Sequence, residues 1–163
     1  LERGVGHLLG SSLPVGGSST HAVLSGHSGM AGQKMFTDLL QMKTGDIFYL
    51  HVLGETLAYE VDSLNTVLPH DTSLLGIAGG SDLCTLITCT PIAVNSHRLL
   101  VTGHRIPFEA AKEMVEEAQQ EDTEVESTWE QEYLRGLYIA IAVVLILFLI
   151  CIVVAVLGRN NDA

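Results

Sequence analysis

The chain has 163 residues, with 19 acidic against 8 basic side chains and a formal net charge of −11. So few cations are available to neutralise phosphates that the composition argues against a nucleic-acid partner. The length allows one domain of ordinary size and an appendage. The chain opens on Leu1 without a charged and then apolar leader, which favours the interpretation that the sequence is a fragment.

The first part of the chain has the turn residues and short apolar runs that are typical of a β-rich domain. A Gly/Ser/Pro loop at 10–20 precedes an alternating, β-rich run at 21–27. Apolar residues at helical spacing predict a helix over 33–42, which Gly45 ends.

Further strands are predicted between residues 47 and 106. Two strand-like runs surround Gly54–Glu55 and predict a hairpin, and a loop or a short turn of helix follows at 70–81. The runs at 82–89 and 97–106 are two more strands. Short strands at this spacing are typical of a barrel or sandwich.

The C-terminal third predicts an acidic helical linker and a membrane anchor. Ten acidic residues and one lysine lie between Glu109 and Glu132, which indicates a solvated helix or tether. Leu137–Leu157 contains 21 residues without a charge, enough to span roughly 30 Å of hydrocarbon. We therefore divide the chain into a domain, a linker, a transmembrane helix and a cytoplasmic tail, with the main domain outside the cell membrane. Their bounds are 1–108, 109–134, 135–158 and 159–163.

The cysteines separate into two kinds. Cys151 lies in the predicted span, whereas Cys84 and Cys89 lie five positions apart in one predicted strand. Such a spacing puts them on opposite faces and roughly 16 Å apart, beyond the reach of a disulfide. A free thiol in an oxidising setting is unusual unless the thiol is used.

The strands at 82–89 and 97–106 are predicted to bring reactive side chains together at one end of a hairpin. If they pair, the connection is centred between Ala93 and Val94, so that Cys89 and Arg98 lie side by side. A guanidinium close to a thiol favours the reactive thiolate, and its fork of donors can hold an oxyanion. His27, which follows a strand and precedes a glycine-rich turn, is the candidate acid or base.

Each of these residues also has an ordinary structural interpretation. Taken singly, Cys89 is a core residue, His27 a turn residue and Arg98 a surface charge. Metal binding by Cys89 with His27, His97 and His104 is disfavoured, since no CxxC or HxxxH pair supports it. His97 alternates with Arg98 and is expected to be structural. Ser25 near His27 lacks the GxSxG elbow of a serine nucleophile.

Several stretches in this order resemble the sortases, the cysteine transpeptidases of Gram-positive surfaces, and TLITC resembles their TLxTC signature. The spacings of His27, Cys89 and Arg98 are similar to those of the class C, pilus-assembling subgroup, as is a C-terminal span. The matching stretches are GVGHLLGSSLPVGG (4–17), LSGHSGM (24–30), TLITC (85–89) and NSHRLLVTGHR (95–105).

The resemblance implies an eight-stranded sortase-type closed β-barrel with one or two short helices, here incomplete at its N-terminus. It implies Cys89 as nucleophile, His27 as acid and base, Arg98 as substrate and oxyanion support, and no cofactor. The implied reaction cleaves an LPXTG-like sorting signal between Thr and Gly and joins pilin subunits through a lysine amine. The implied partners are pilins or surface proteins with such signals.

The sequence also departs from the subgroup and leaves alternatives open. Residue 28 is Ser where the subgroup often has Arg, and Ile92–Ala93 stands where an aromatic–glycine pair is common. The subgroup's first strands, N-terminal helix and flexible lid have no counterpart in the sequence.

A cell-wall anchoring sortase, a thiol hydrolase and a non-catalytic membrane-tethered interaction module remain as alternatives. A sortase substrate is disfavoured, because no LPXTG-like pentapeptide lies just upstream of the span.

Overall fold

The computed structural model describes residues 4–30 and 32–161, for 121–131 and 146–161 as backbone only. The described chain contains six strands, a 3₁₀ helix (η1) and an α-helix. They are β1 (Gly6–His7), β2 (Thr20–Ser25), η1 (Thr37–Gln41), β3 (Ile47–Val52), β4 (Glu55–Val67), β5 (Asp82–Thr90), β6 (His97–Ile106) and α1 (Phe108–Asn161).

The strands form one curled sheet in the order β1-β2-β5-β6-β4-β3. All neighbours are antiparallel except β2 and β5, which are parallel. The expectation of a mostly β domain is confirmed. Among the described residues the sheet has two edges, β1 and β3, and forms a half-barrel.

The predicted hairpin is present as β3 and β4. Leu53 and Gly54 connect the two strands with φ of 51° and 84°. Two successive residues in the left-handed region form the tight turn whose twist matches a right-twisted hairpin. The prediction around Gly54–Glu55 is therefore confirmed, with the turn one residue earlier.

The predicted helix over 33–42 is wrong in extent, because only Thr37–Gln41 is helical and it is a 3₁₀ helix. Met35 has a φ of 38°, in the left-handed region that a right-handed helix cannot include. The helical turn therefore begins only after Phe36. Helical spacing of apolar residues gives no sign of such a break.

The sheet buries side chains on both faces. The inner face carries the main apolar cluster, which includes Ala22 of β2, Leu86 of β5 and Val101 of β6. The outer face, on which these strands place alternate residues, buries Val23 and Leu100. Both faces are thus protected from water in the middle of the sheet, while the strand ends remain accessible.

The helix α1 begins at Phe108, whose ring packs edge-on against Tyr49 with centroids 6.0 Å apart. The chain divides into two compact units, one up to Val115 and one from Glu116. Where side chains are described, no helix is both long and apolar enough to cross a membrane. Residues 146–158 of the predicted span lie outside that part of the chain.

Candidate active site

Cys89 and Arg98 are cross-strand partners in the antiparallel ladder of β5 and β6. Directly opposed residues of an antiparallel pair point to the same face, so the thiol and the guanidinium lie on the same side of the sheet. Both residues are partly exposed. The pairing predicted from the centre of the connection is confirmed.

The parallel pairing of β2 with β5 brings His27 to the same end of the sheet. Ser25 is the register partner of Ile87, and the Gly26 N–H donates to the Ile87 carbonyl at 3.0 Å. His27 lies two residues beyond Ser25, just past the end of β2, and Cys89 lies two residues beyond Ile87 in β5. His27, which is partly exposed, is therefore at the end of the sheet where Cys89 and Arg98 pair, and we call these three candidate residues the row.

Two side-chain hydrogen bonds tie the His27 segment to the end of β5. The Ser28 hydroxyl donates to the Cys89 carbonyl at 2.6 Å. The buried Thr88 hydroxyl donates to the Gly26 carbonyl at 2.9 Å. One bond lies on each side of His27, so its backbone is held from both directions against the strand that carries the thiol.

The other side of the His27 segment contacts the residues that lead into η1. The Phe36 N–H donates to the His27 carbonyl at 3.0 Å, and the Gly29 N–H donates to Thr37 Oγ1 at 3.0 Å. A Cβ built on Gly26 would lie 2.8 Å from the Phe36 ring. Only glycine fits at this position without displacing the ring.

The Arg98 guanidinium is held by the backbone of the β5–β6 connection. Its Nη1 donates to the Asn95 carbonyl at 3.1 Å and to the His97 carbonyl at 3.0 Å. Asn95 has a φ of 58°, a left-handed conformation that asparagine tolerates better than most residues. The side chain of Arg98 is therefore anchored at the turn beside Cys89.

A shallow cavity of about 280 Å³ opens on the outer face of β2. Val23 contributes to its wall, and Val23 lies on the same face of β2 as Ser25. Ser25 pairs with Ile87, which shares a face of β5 with Cys89, so the cavity lies on the face of the sheet that carries Cys89 and Arg98. Its walls are mainly aliphatic and small residues from the segments on either side of β2: Leu8, Leu9, Gly10, Ser11, Thr72, Leu75 and Gly76.

The second cysteine of β5 has a different environment. Cys84 is fully buried on the inner face, and burial together with the nearby Asp82 raises its pKa to about 12. It therefore remains a protonated thiol at neutral pH, which is the unreactive form. Cys84 and Cys89 are both free thiols, as the spacing predicted.

Metal binding has no geometric support in the part of the chain that the structure describes. No group of three or more His, Cys, Asp or Glu residues is arranged there to hold an ion. His97 Nδ1 lies 2.9 Å from Ser96 Oγ, and His104 Nδ1 lies 2.8 Å from Asp62 Oδ1. The first contact joins neighbours along the chain and the second joins residues 42 positions apart, and neither involves the side chain of His27, Cys89 or Arg98.

The model of the sortase domain family matches residues 1–106. The chain belongs to the sortase family. This match covers all six strands, the candidate row and the cavity beside it.

Individual sortases are similar over the same region. Sortase C-1 from Actinomyces oris is 58% identical with a TM-score of 0.64, over 66% of this chain and 60% of that one. A pilus-related sortase C of Group B Streptococcus is 51% identical with a TM-score of 0.65, over 67% of this chain and 56% of that one. Sortase A of Bacillus anthracis is 32% identical over 55% of this chain and 42% of its own length. The chain thus spans less than two thirds of the length of each of these three sortases.

The sequence did not predict what holds the His27 segment in place. In the sequence, Ser28 stands out only as a departure from the sortase pattern, and nothing marks Thr88 or Gly26 as important. A hydroxyl one residue from a candidate histidine, within the matching segment LSGHSGM, is a usable signal. Its partner, the Cys89 carbonyl, becomes visible only once β2 and β5 are paired.

Proposed function

We propose that this sortase transfers an acyl group from an LPXTG-like sorting signal to an amine through a thioester on Cys89. The row of His27, Cys89 and Arg98 at one end of the sheet is the observation that carries the proposal. A nucleophile, a proton carrier and a cationic hydrogen-bond donor are the three groups that thiol acyl transfer requires. Family membership supports the same chemistry.

The proposed reaction has two steps that use these residues in turn. The Cys89 thiolate attacks the Thr carbonyl carbon, and Arg98 donates to the oxygen that becomes negative. The C–N bond to Gly then breaks, the leaving amine takes a proton from His27, and the acyl group stays on sulfur. An incoming amine attacks the thioester carbon and loses its proton to His27, a new amide C–N bond forms, and the C–S bond breaks to release the Cys89 thiolate.

The cavity beside β2 supports a binding path for the peptide. Its aliphatic wall residues, such as Leu8 and Leu75, offer apolar contacts suited to the Leu and Pro side chains of the sorting signal. A peptide lying in it continues along the face of Ser25 and Ile87 towards Cys89. We propose that the scissile bond reaches the thiol in this way.

The acceptor is proposed to be a lysine amine of a pilin subunit. The similarity to a sortase C described as pilus-related supports this choice. We further propose that 135–158 is a transmembrane helix and that the domain faces the outside of the cell membrane. A tether of this kind raises the local concentration of the enzyme near membrane-held precursors. In the proposed complete enzyme, the six-stranded sheet is part of a closed sortase-type barrel.

The test combines the protein in detergent with a purified pilin that carries an LPXTG-like signal. We expect a ladder of covalent pilin oligomers that survives boiling in detergent. The ladder is expected to disappear with Cys89→Ala and when the acceptor lysine of the pilin is changed.

The alternatives give different products in the same assay. Efficient transfer to a cross-bridge peptide without a ladder identifies an anchoring sortase. Release of cleaved peptide alone identifies a hydrolase. Absence of every product, with Cys89 unreactive towards thiol reagents, indicates a non-catalytic interaction module and contradicts the proposal.

A further inference from the structure

The hydrogen bond between Ser28 and Cys89 connects the residue that follows His27 to the backbone of the candidate nucleophile. The Ser28 hydroxyl donates to the Cys89 carbonyl at 2.6 Å, across 61 residues of chain. Ser28 directly follows the candidate acid and base, and its acceptor is the backbone of the candidate nucleophile. Among the described residues, the Thr88–Gly26 bond is the other side-chain hydrogen bond between the His27 segment and the end of β5.

This bond lies where it can affect the distance between the His27 imidazole and the Cys89 thiol. His27 lies past the last register pair of β2 and β5, Ser25 with Ile87, so the ladder does not hold it. The Thr88–Gly26 bond holds the segment before His27, and the Ser28–Cys89 bond holds it after. Removal of the second bond leaves His27 anchored on one side towards β5.

The neighbouring contact strengthens this interpretation. A Cβ built on Gly29 would lie 2.5 Å from Ile92 Cγ2, so Ile92 covers the backbone just after Ser28. Ser28 itself is partly buried. A hydroxyl–carbonyl bond that is shielded in part from water contributes more than an exposed one.

We propose that Ser28 is a positioning residue for the transpeptidation, which holds His27 at the reacting distance from Cys89. The expected effect of Ser28 on catalysis rests on the proposed function. It assigns no contact with substrate to Ser28. Misplacement of a catalytic group by about 1 Å is known to lower rates as much as 10²-fold, so a single bond at this place is sufficient to matter.

The experiment compares two variants of nearly equal shape, Ser28→Thr and Ser28→Val. Threonine keeps the hydroxyl, whereas valine replaces it by a methyl group. With a sorting peptide as substrate, we expect Ser28→Val to lower kcat roughly tenfold with little change in KM, on the scale of one ordinary net hydrogen bond. Ser28→Thr is expected to stay within about twofold of the unchanged protein, since it keeps the donor.

A second readout does not depend on turnover. The rate of iodoacetamide alkylation of Cys89 at pH 7 is expected to fall in Ser28→Val and to remain in Ser28→Thr. Protection of Cys84 in the same digest reports that each variant is folded. Ser63→Ala is the control, since it removes a partly buried hydroxyl that pairs with Asn65 Nδ2 at 3.1 Å and does not touch the row.

The outcomes separate this inference from the proposed function. Equal kcat and equal alkylation in Ser28→Thr and Ser28→Val overturn the positioning role, as does a change confined to KM. No turnover in any form, with the alkylation difference present, means that the proposed function fails while the positioning role stands. An equal loss in Ser63→Ala assigns the effect to general stability and also overturns the inference.

Discussion

Cys89 and Arg98 are register partners nine residues apart in sequence, and the arginine donates to the Asn95 carbonyl of the six-residue connection between their strands. The thiol and the guanidinium are therefore one local unit. His27 is added to this unit by the parallel pairing of β2 with β5 and by the bond from Ser28. The predictions below test the parts of this arrangement separately.

Cys89 is expected to react with iodoacetamide at neutral pH at least ~10-fold faster than Cys84, because Cys84 is a buried, protonated thiol. The pKa of Cys84 is raised to about 12, whereas Cys89 is partly exposed beside Arg98. Mass spectrometry of labelled peptides measures both rates in one sample, with the fully denatured chain as control. Equal labelling in the native chain would contradict the assignment of Cys89 as nucleophile.

Arg98→Lys is expected to lower the turnover of a sorting peptide by roughly 10²–10³, the usual loss for one oxyanion donor. A guanidinium can donate to the turn carbonyls and to the substrate oxygen at once, because its donors are held in a fixed planar fork. An ammonium group has no such fork. The initial rate of thioester formation measures the effect, with Arg98→Ala for comparison. A lysine variant with nearly the original rate would mean that Arg98 supplies charge alone.

Gly29→Ala is expected to destabilise the fold by about 1–3 kcal/mol, the range for strained backbone at a non-glycine residue. Gly29 has a φ of 68°, and its added Cβ would meet Ile92 Cγ2 at 2.5 Å. Because Ile92→Ala removes the clashing atom but not the backbone strain, the double variant is expected to recover part of the loss. Urea unfolding of the four proteins gives the coupling energy. Strict additivity would show that the two residues do not contact each other in solution.

Stability is expected to fall as the pH rises from about 9 towards about 12, and Cys84 is one cause. Its ordinary pKa of 9.0 is raised to about 12 in the fold by burial and by Asp82. In this window the unfolded chain has lost the thiol proton that the folded chain keeps, so the free energy of unfolding falls by about 1.4 kcal/mol per pH unit. Burial and Asp82 also raise the pKa of Tyr59, which acts in the same direction.

The matched variant for this pH dependence is Cys84→Ala. It removes the titrating group, so the decline of the urea midpoint between these pH values is expected to become shallower. The comparison uses the slope against pH, because the lost side chain lowers stability by a similar amount at every pH. An unchanged slope would exclude Cys84 as a source of alkaline sensitivity.

The sequence predicted those parts of the site whose residues are close to one another along the chain. The centre of the connection between 82–89 and 97–106 was sufficient to pair Cys89 with Arg98, because side chains in a hairpin follow from the turn. The register of β2 against β5 was beyond this reasoning, since a parallel pair is joined by a long crossover with no local signal. The donor role of Ser28 depends on that register. The left-handed Met35 was missed because apolar spacing carries no information on a single φ.

The parallel contact between β2 and β5 also has a consequence for the order in which the site assembles. The hairpin of β5 and β6 closes a short loop, whereas the approach of His27 to Cys89 needs the whole intervening chain to be folded. We therefore expect the thiol and its arginine to meet before the proton carrier reaches them. Hydrogen exchange tests this order: the Gly26 amide is expected to become protected after the amide of Val101, which is paired with Leu86 of β5.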